Sequence, residues 1–80
     1  MQKEFEAIIA SDLPEVEKVA QAYQWIMTDQ IEHSHNEIEL LKALGDQENL
    51  VKEQIKLGVI EYTAGIFAFC YQQATGRKLI

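Results

Sequence analysis

Apolar residues recur along this chain at helical spacing. Phe5, Ile8 and Ile9 share one side of a short segment, about Gln2 to Ala10, with Lys3, Glu4 and Glu6 on the other. A helix this short is marginal alone in water, so it must pack on a neighbour. Val16, Ala20, Tyr23, Met27, Ile31, Ser34, Ile38, Leu41 and Leu44 then recur at spacings of three and four, the stripe of an amphipathic helix. Asp12 offers a cap ahead of it, Glu15 three residues on completes a capping box, and Pro14 is tolerated in a first turn. Gly45 supplies the left-handed residue that commonly ends a helix. The pattern predicts a second helix over about 14–44, roughly 45 Å long at 1.5 Å per residue. Its middle, Asp29 to Glu39, is polar enough to leave a break near Ser34-His35-Asn36 open.

Asp46 can cap a third helix over about 47–75, with Gly76 as its stop signal. The first two turns are amphipathic, with Leu50, Val51 and Ile55 against Glu48, Lys52, Glu53 and Lys56. From Leu57 to Tyr71 the helix becomes apolar on every side, broken only by Glu61. Its β-branched and aromatic residues raise a strand alternative, but no period-two alternation supports one. The expected fold is all-α: one domain over residues 1–80, with a short N-terminal helix followed by a long antiparallel helical hairpin. A hairpin cannot by itself cover a helix that is apolar all round. A homodimer forming a helical bundle is therefore expected, with Leu57, Ile60, Ala64, Phe67, Ala68 and Tyr71 as its interface. Gly58, Ala64, Gly65 and Ala68 would let a partner helix come close, and ordinary core packing explains them equally well.

Composition and charge narrow the function. Eighty residues, 48% of them hydrophobic and only five of them Pro or Gly, suit one small globular core and exclude a disordered tail. Thirteen acidic and seven basic side chains leave a net charge of −6, and nine of the acids against two lysines lie in residues 1–40. No cluster of Lys and Arg is large enough to neutralise many phosphates, so a nucleic-acid partner is not expected. The longest apolar stretch is shorter than a membrane span and carries Glu61, and no basic residue precedes an apolar leader. A cytoplasmic protein without a membrane partner is the expectation. Cys70 has no second cysteine to pair with, and its place between Phe69 and Tyr71 suggests a buried thiol.

The clearest candidate for chemistry is the cluster Asp29, Glu32, His33, His35, Glu37 and Glu39. Histidine and carboxylate one helical turn apart can hold one divalent cation. Glu32 and His35 also fit the Glu-x-x-His spacing and in this respect resemble the metal-bearing helices of ferritin-like di-iron bundles. That resemblance implies a divalent metal such as iron, zinc or manganese, held by Glu32, His35 and Glu61 across a dimer core. If the chain turns at Gly45-Asp46, Glu61 comes level with Gln30 and within a turn of Glu32, and an unpaired buried carboxylate there would need a partner. Surface ion pairs, or a polar layer that sets bundle register, explain the same residues without a cofactor.

Catalytic patterns are otherwise missing from the sequence. The four glycines stand singly, so no phosphate-binding loop is present. Neither serine nor Cys70 has the neighbours of an activated nucleophile. The acidic pairs do not make the repeated ladder of an all-α nucleotide pyrophosphohydrolase. Tyr23 and Trp25 suit either a partner anchor or the seal at the top of a bundle. The sequence therefore points to a non-enzymatic regulatory, adaptor or inhibitor protein that acts by association. A protein partner is expected on the exposed side of the second helix, at Glu15, Glu17, Asp29, Glu32, Glu37 and Glu39. Mimicry of a phosphate backbone, capturing a nucleic-acid-binding protein, is a further alternative.

Overall fold

The structure, a computed structural model, describes residues 2–79. They form three helices: α1 (Gln2–Ile9), α2 (Glu15–Leu44) and α3 (Gln47–Thr75). No strand occurs among the described residues. Helix α2 runs unbroken through Ser34-His35-Asn36, because the buried Ser34 hydroxyl finds an acceptor in Glu53 of α3 and needs no kink to reach water.

The α2–α3 connection follows from two residues. Gly45 takes the left-handed conformation (φ 69°, ψ 22°), which only glycine adopts without strain, and ends α2. Asp46 then caps α3, accepting hydrogen bonds from the Asn49 backbone N–H at 3.2 Å and from the Asn49 side chain at 2.8 Å. The Asn49 side chain, then its backbone N–H, hold the Asp46 carboxyl below the usual carboxylate range. At the far end Gly76 (φ 73°, ψ 5°) closes α3 in the same left-handed way.

The start of α2 differs from the capping box expected of Asp12 and Glu15. Pro14 occupies the cap position and no side chain caps the helix. Asp12 is exposed, and the turn is held by Ser11, whose hydroxyl donates to the Ile8 carbonyl at 2.6 Å. Proline has no N–H, so the helix starts with one fewer donor to satisfy.

α2 packs on both α1 and α3, while α1 and α3 do not meet. Trp25 fixes α1: its indole N–H donates to Glu4 at 2.9 Å, and its ring meets Phe5 at 5.9 Å in a tilted pair. Ile38, Leu41, Leu50 and Leu57 form the core near the turn, with Ile31 against it. Beside them Ser34 has no exposed surface at all, and its hydroxyl donates to Glu53 at 2.6 Å. Farther along, Tyr23 stacks on Phe67 with ring centres 4.1 Å apart. The Cα extents are 47 × 28 × 13 Å and the radius of gyration is 15.3 Å, against about 12 Å for a compact chain of this length. The three helices thus lie in a single layer.

Candidate association surface

The phase of α3 sets what this layer presents to solvent. Leu50, Leu57 and Tyr71 are buried, and Glu53 reaches Ser34 of α2, so these positions mark the side turned to α2. At 100° per residue the opposite side carries Val51, Ile55, Val59, Tyr62, Ile66 and Phe69. All six are exposed, Tyr62 by 73% and Ile55 and Phe69 by 63% each. From Ile55 onward their spacing alternates four and three, the seam with which a helix meets another helix.

The apolar surface extends from α3 onto α2. A shallow groove of about 410 Å³ runs between the start of α2 and the end of α3, lined by Val16, Val19, Ala20, Phe67, Cys70 and Ala74 among others. Val16 and Val19 are exposed. A second depression, of about 560 Å³, is lined by Gln21, Gln24 and Thr28 together with Trp25, Tyr71 and Arg77, and its rim is more polar. No helix among the described residues is long and apolar enough to cross a membrane.

One polar cluster joins the start of α2 to the end of α3. Tyr71 donates its hydroxyl to both Glu17 carboxylate oxygens at 2.7 Å. The Arg77 guanidinium pairs with the same carboxylate and lies 5.9 Å above the centre of the Tyr71 ring. The Tyr71 hydroxyl first, then Arg77, hold the Glu17 carboxyl below the usual carboxylate range, against a smaller opposing effect of burial. A depressed carboxyl stabilises the fold above its ordinary range, and that contribution is lost as pH falls through the depressed value. Tyr71→Phe is therefore expected to be less stable than the native chain at neutral pH. The gap should narrow below about pH 4, as urea unfolding across the acid range will measure. A gap that stays constant would mean that the hydroxyl does not act through the ionised Glu17 carboxylate.

The structure redistributes the residues expected to form sites. Leu57 and Tyr71 are buried inside the single chain, Phe67 stacks on Tyr23, and Ile60, Ala64 and Ala68 lie on the same half-buried side. These six lie on the side of α3 that faces α2, so within the single chain they pack against its own second helix and not on open surface. The physical reason is that an apolar run with no polar face has no phase of its own. Leu50 and Leu57, docked on Ile38 and Leu41, supply it.

The acidic patch is also divided. Glu17 is committed to Tyr71 and Arg77, and Asp29 and Glu37 are half-buried. Only Glu15, Glu32 and Glu39 are fully open, and Glu39 pairs with Lys42 at 3.8 Å. Glu32, His35 and Glu61 are all exposed, so Glu61 is not the buried carboxylate that its place in the apolar run implies. Among the described residues of the single chain, no group of three or more His, Cys, Asp or Glu side chains converges on a point where a metal ion would sit. Cys70 is exposed rather than buried, because it lines the open groove. The Glu17–Tyr71–Arg77 cluster was not visible beforehand, since its members stand 54 and 60 residues apart.

Comparison with family models, with curated proteins and with solved structures finds no match to this chain. The functional reading therefore rests on the molecule's own surface.

Proposed function

We propose that this protein acts by protein–protein association, as a small acidic helical module that pairs with a second copy of itself and catalyses no reaction. The single observation that supports this reading is the exposed apolar side of α3 on a layer one helix thick. Helical domains are built from at least two packed layers, because a helix with apolar surface must bury it against something. This chain has one layer, and the side chain most deeply buried in it is a serine.

Surface area argues the same way. The chain exposes 5949 Å², while a compact monomer of its mass would expose about 4,900 Å². The surplus, about 1,000 Å² per chain, is of the order that one partner buries in a stable interface. Pairing through this side leaves Glu15, Glu32 and Glu39 outside the stripe, available to a basic protein partner. Each dimer would present that acidic margin twice, which suits an adaptor or regulatory protein.

The test is the mass of the untagged protein in solution, by sedimentation velocity and native mass spectrometry. A dimer of twice the 9.2 kDa chain mass is expected. A monomer at a concentration of about 50 μM, where a dissociation constant of about 1 μM would leave the chain mostly paired, would overturn the reading.

A further inference from the structure

We infer that the second copy lies antiparallel along α3, with the two-fold axis passing beside Tyr62. This arrangement rests on the homodimer proposed above and adds its geometry. A two-fold interface is self-complementary: if one residue meets a second across the axis, the second meets the first. Five of the six stripe residues are ordered symmetrically about Tyr62, while Val51 falls level with Gln73. Ile55 and Phe69 stand seven residues either side of Tyr62, Val59 and Ile66 stand three and four either side, and Gly58 and Gly65 four and three.

An antiparallel crossing at Tyr62 therefore sets Phe69 against Ile55 of the other copy. It sets Val59 against Ile66 and brings the two glycine positions across from one another. Tyr62 meets its own copy at the axis, with the smaller pairs on either side. A parallel pairing would place Phe69 on Phe69 at one end and Val51 on Val51 at the other, and would splay the helices.

Three independent features favour the antiparallel arrangement. First, Gly58 and Gly65 lie inside a helix, where glycine is less favourable than alanine. In the single chain a Cβ at either position would meet nothing within 4 Å. Neither glycine is therefore needed for the packing of one chain, while a helix crossing between them explains both. Second, the crossing brings Glu48, in the first turn of α3, toward the Lys78 end of the other copy. A parallel pair would instead set like charges side by side. Third, antiparallel helices oppose their dipoles favourably, whereas parallel ones do not.

Disulfide trapping tests this in a Cys70→Ser background, which removes the only native thiol. Tyr62→Cys is expected to cross-link to itself under mild oxidation, converting most of the chain to covalent dimer. Ile55→Cys and Phe69→Cys should each cross-link poorly alone, since position 55 lies about 20 Å along the seam from its own mate. Mixed together, those two should cross-link at least tenfold better than either does alone. Equal self-cross-linking of all three variants would overturn the antiparallel arrangement in favour of a parallel one. A dimer by mass with no cross-linking in the mixture would place the interface on another face and also overturn it. A monomer by mass would instead remove the underlying proposal. The mixed experiment retains Tyr62, so a loss of packing in Tyr62→Cys cannot imitate a negative result.

Discussion

Ile66→Asp is expected to dissociate the protein into monomers, raising the dissociation constant by at least 100-fold. The magnitude follows from what the carboxylate would lose. On a bare surface, exchanging isoleucine for aspartate changes stability by no more than about 0.5 kcal/mol. Inside a helix seam the same carboxylate is stripped of water without a partner, at a cost of several kcal/mol, and 2.7 kcal/mol already corresponds to about 100-fold. Leu40→Asp provides the comparison: Leu40 is also about half exposed but sits on α2, away from the stripe. It should leave the mass unchanged. Sedimentation over a hundredfold range of concentration will read both variants. If Ile66→Asp behaves like Leu40→Asp, the α3 stripe is not an interface.

Leu57→Ala should have a comparably large effect of a different kind. Leu57 is one of four residues that make the buried cluster between α2 and α3. Truncating a buried leucine to alanine costs about 2–5 kcal/mol through lost transfer energy and the cavity left behind. A chain of this length has about 4–12 kcal/mol of stability in all, so the substitution removes a large part of it. Ile55→Ala, two positions earlier and 63% exposed in the single chain, should leave the hairpin itself close to native. The two are distinguished by dilution. The loss in Leu57→Ala persists at every protein concentration in urea unfolding, whereas any loss in Ile55→Ala fades as the native protein itself dissociates. Equal, concentration-independent losses would mean that α3 has been assigned the wrong phase.

Much of the fold was readable because its punctuation is local. Gly45, Asp46 and Gly76 act within a few residues of themselves, and the structure ends and starts helices at each of them. The polar stretch around Ser34 read as a possible break because a serine in a helix competes for backbone bonds. Its actual partner, Glu53, lies across the hairpin and is out of reach of a local pattern. The site was less legible for a related reason. In α2, charged residues mark which side faces water. In α3 from Leu57 to Tyr71 the single charge, Glu61, is too little to set a phase, so membership of the apolar run was evident and its orientation was not. Glu61 and Cys70 followed that misassigned phase, and both emerge exposed. Glu17 read as one more surface acid, because nothing near it in sequence announces Tyr71 or Arg77.

The tight turn at Gly45-Asp46 also imposes an order of assembly in time. Leu41 and Leu50, and then Ile38 and Leu57, lie close in sequence across that turn. Bringing them together closes only short loops, which costs little chain entropy and happens early. The contacts at the open end, Tyr23 with Phe67 and Glu17 with Tyr71, close progressively longer loops and are gained only as the two helices zip outward. The α3 stripe spans this zipper from near the tip to near the mouth. A nascent chain thus rigidifies the Ile55 end of the stripe before the Phe69 end. In an antiparallel pair, each copy's early-formed end would meet the other's late-formed end, so each chain could help to complete its mate.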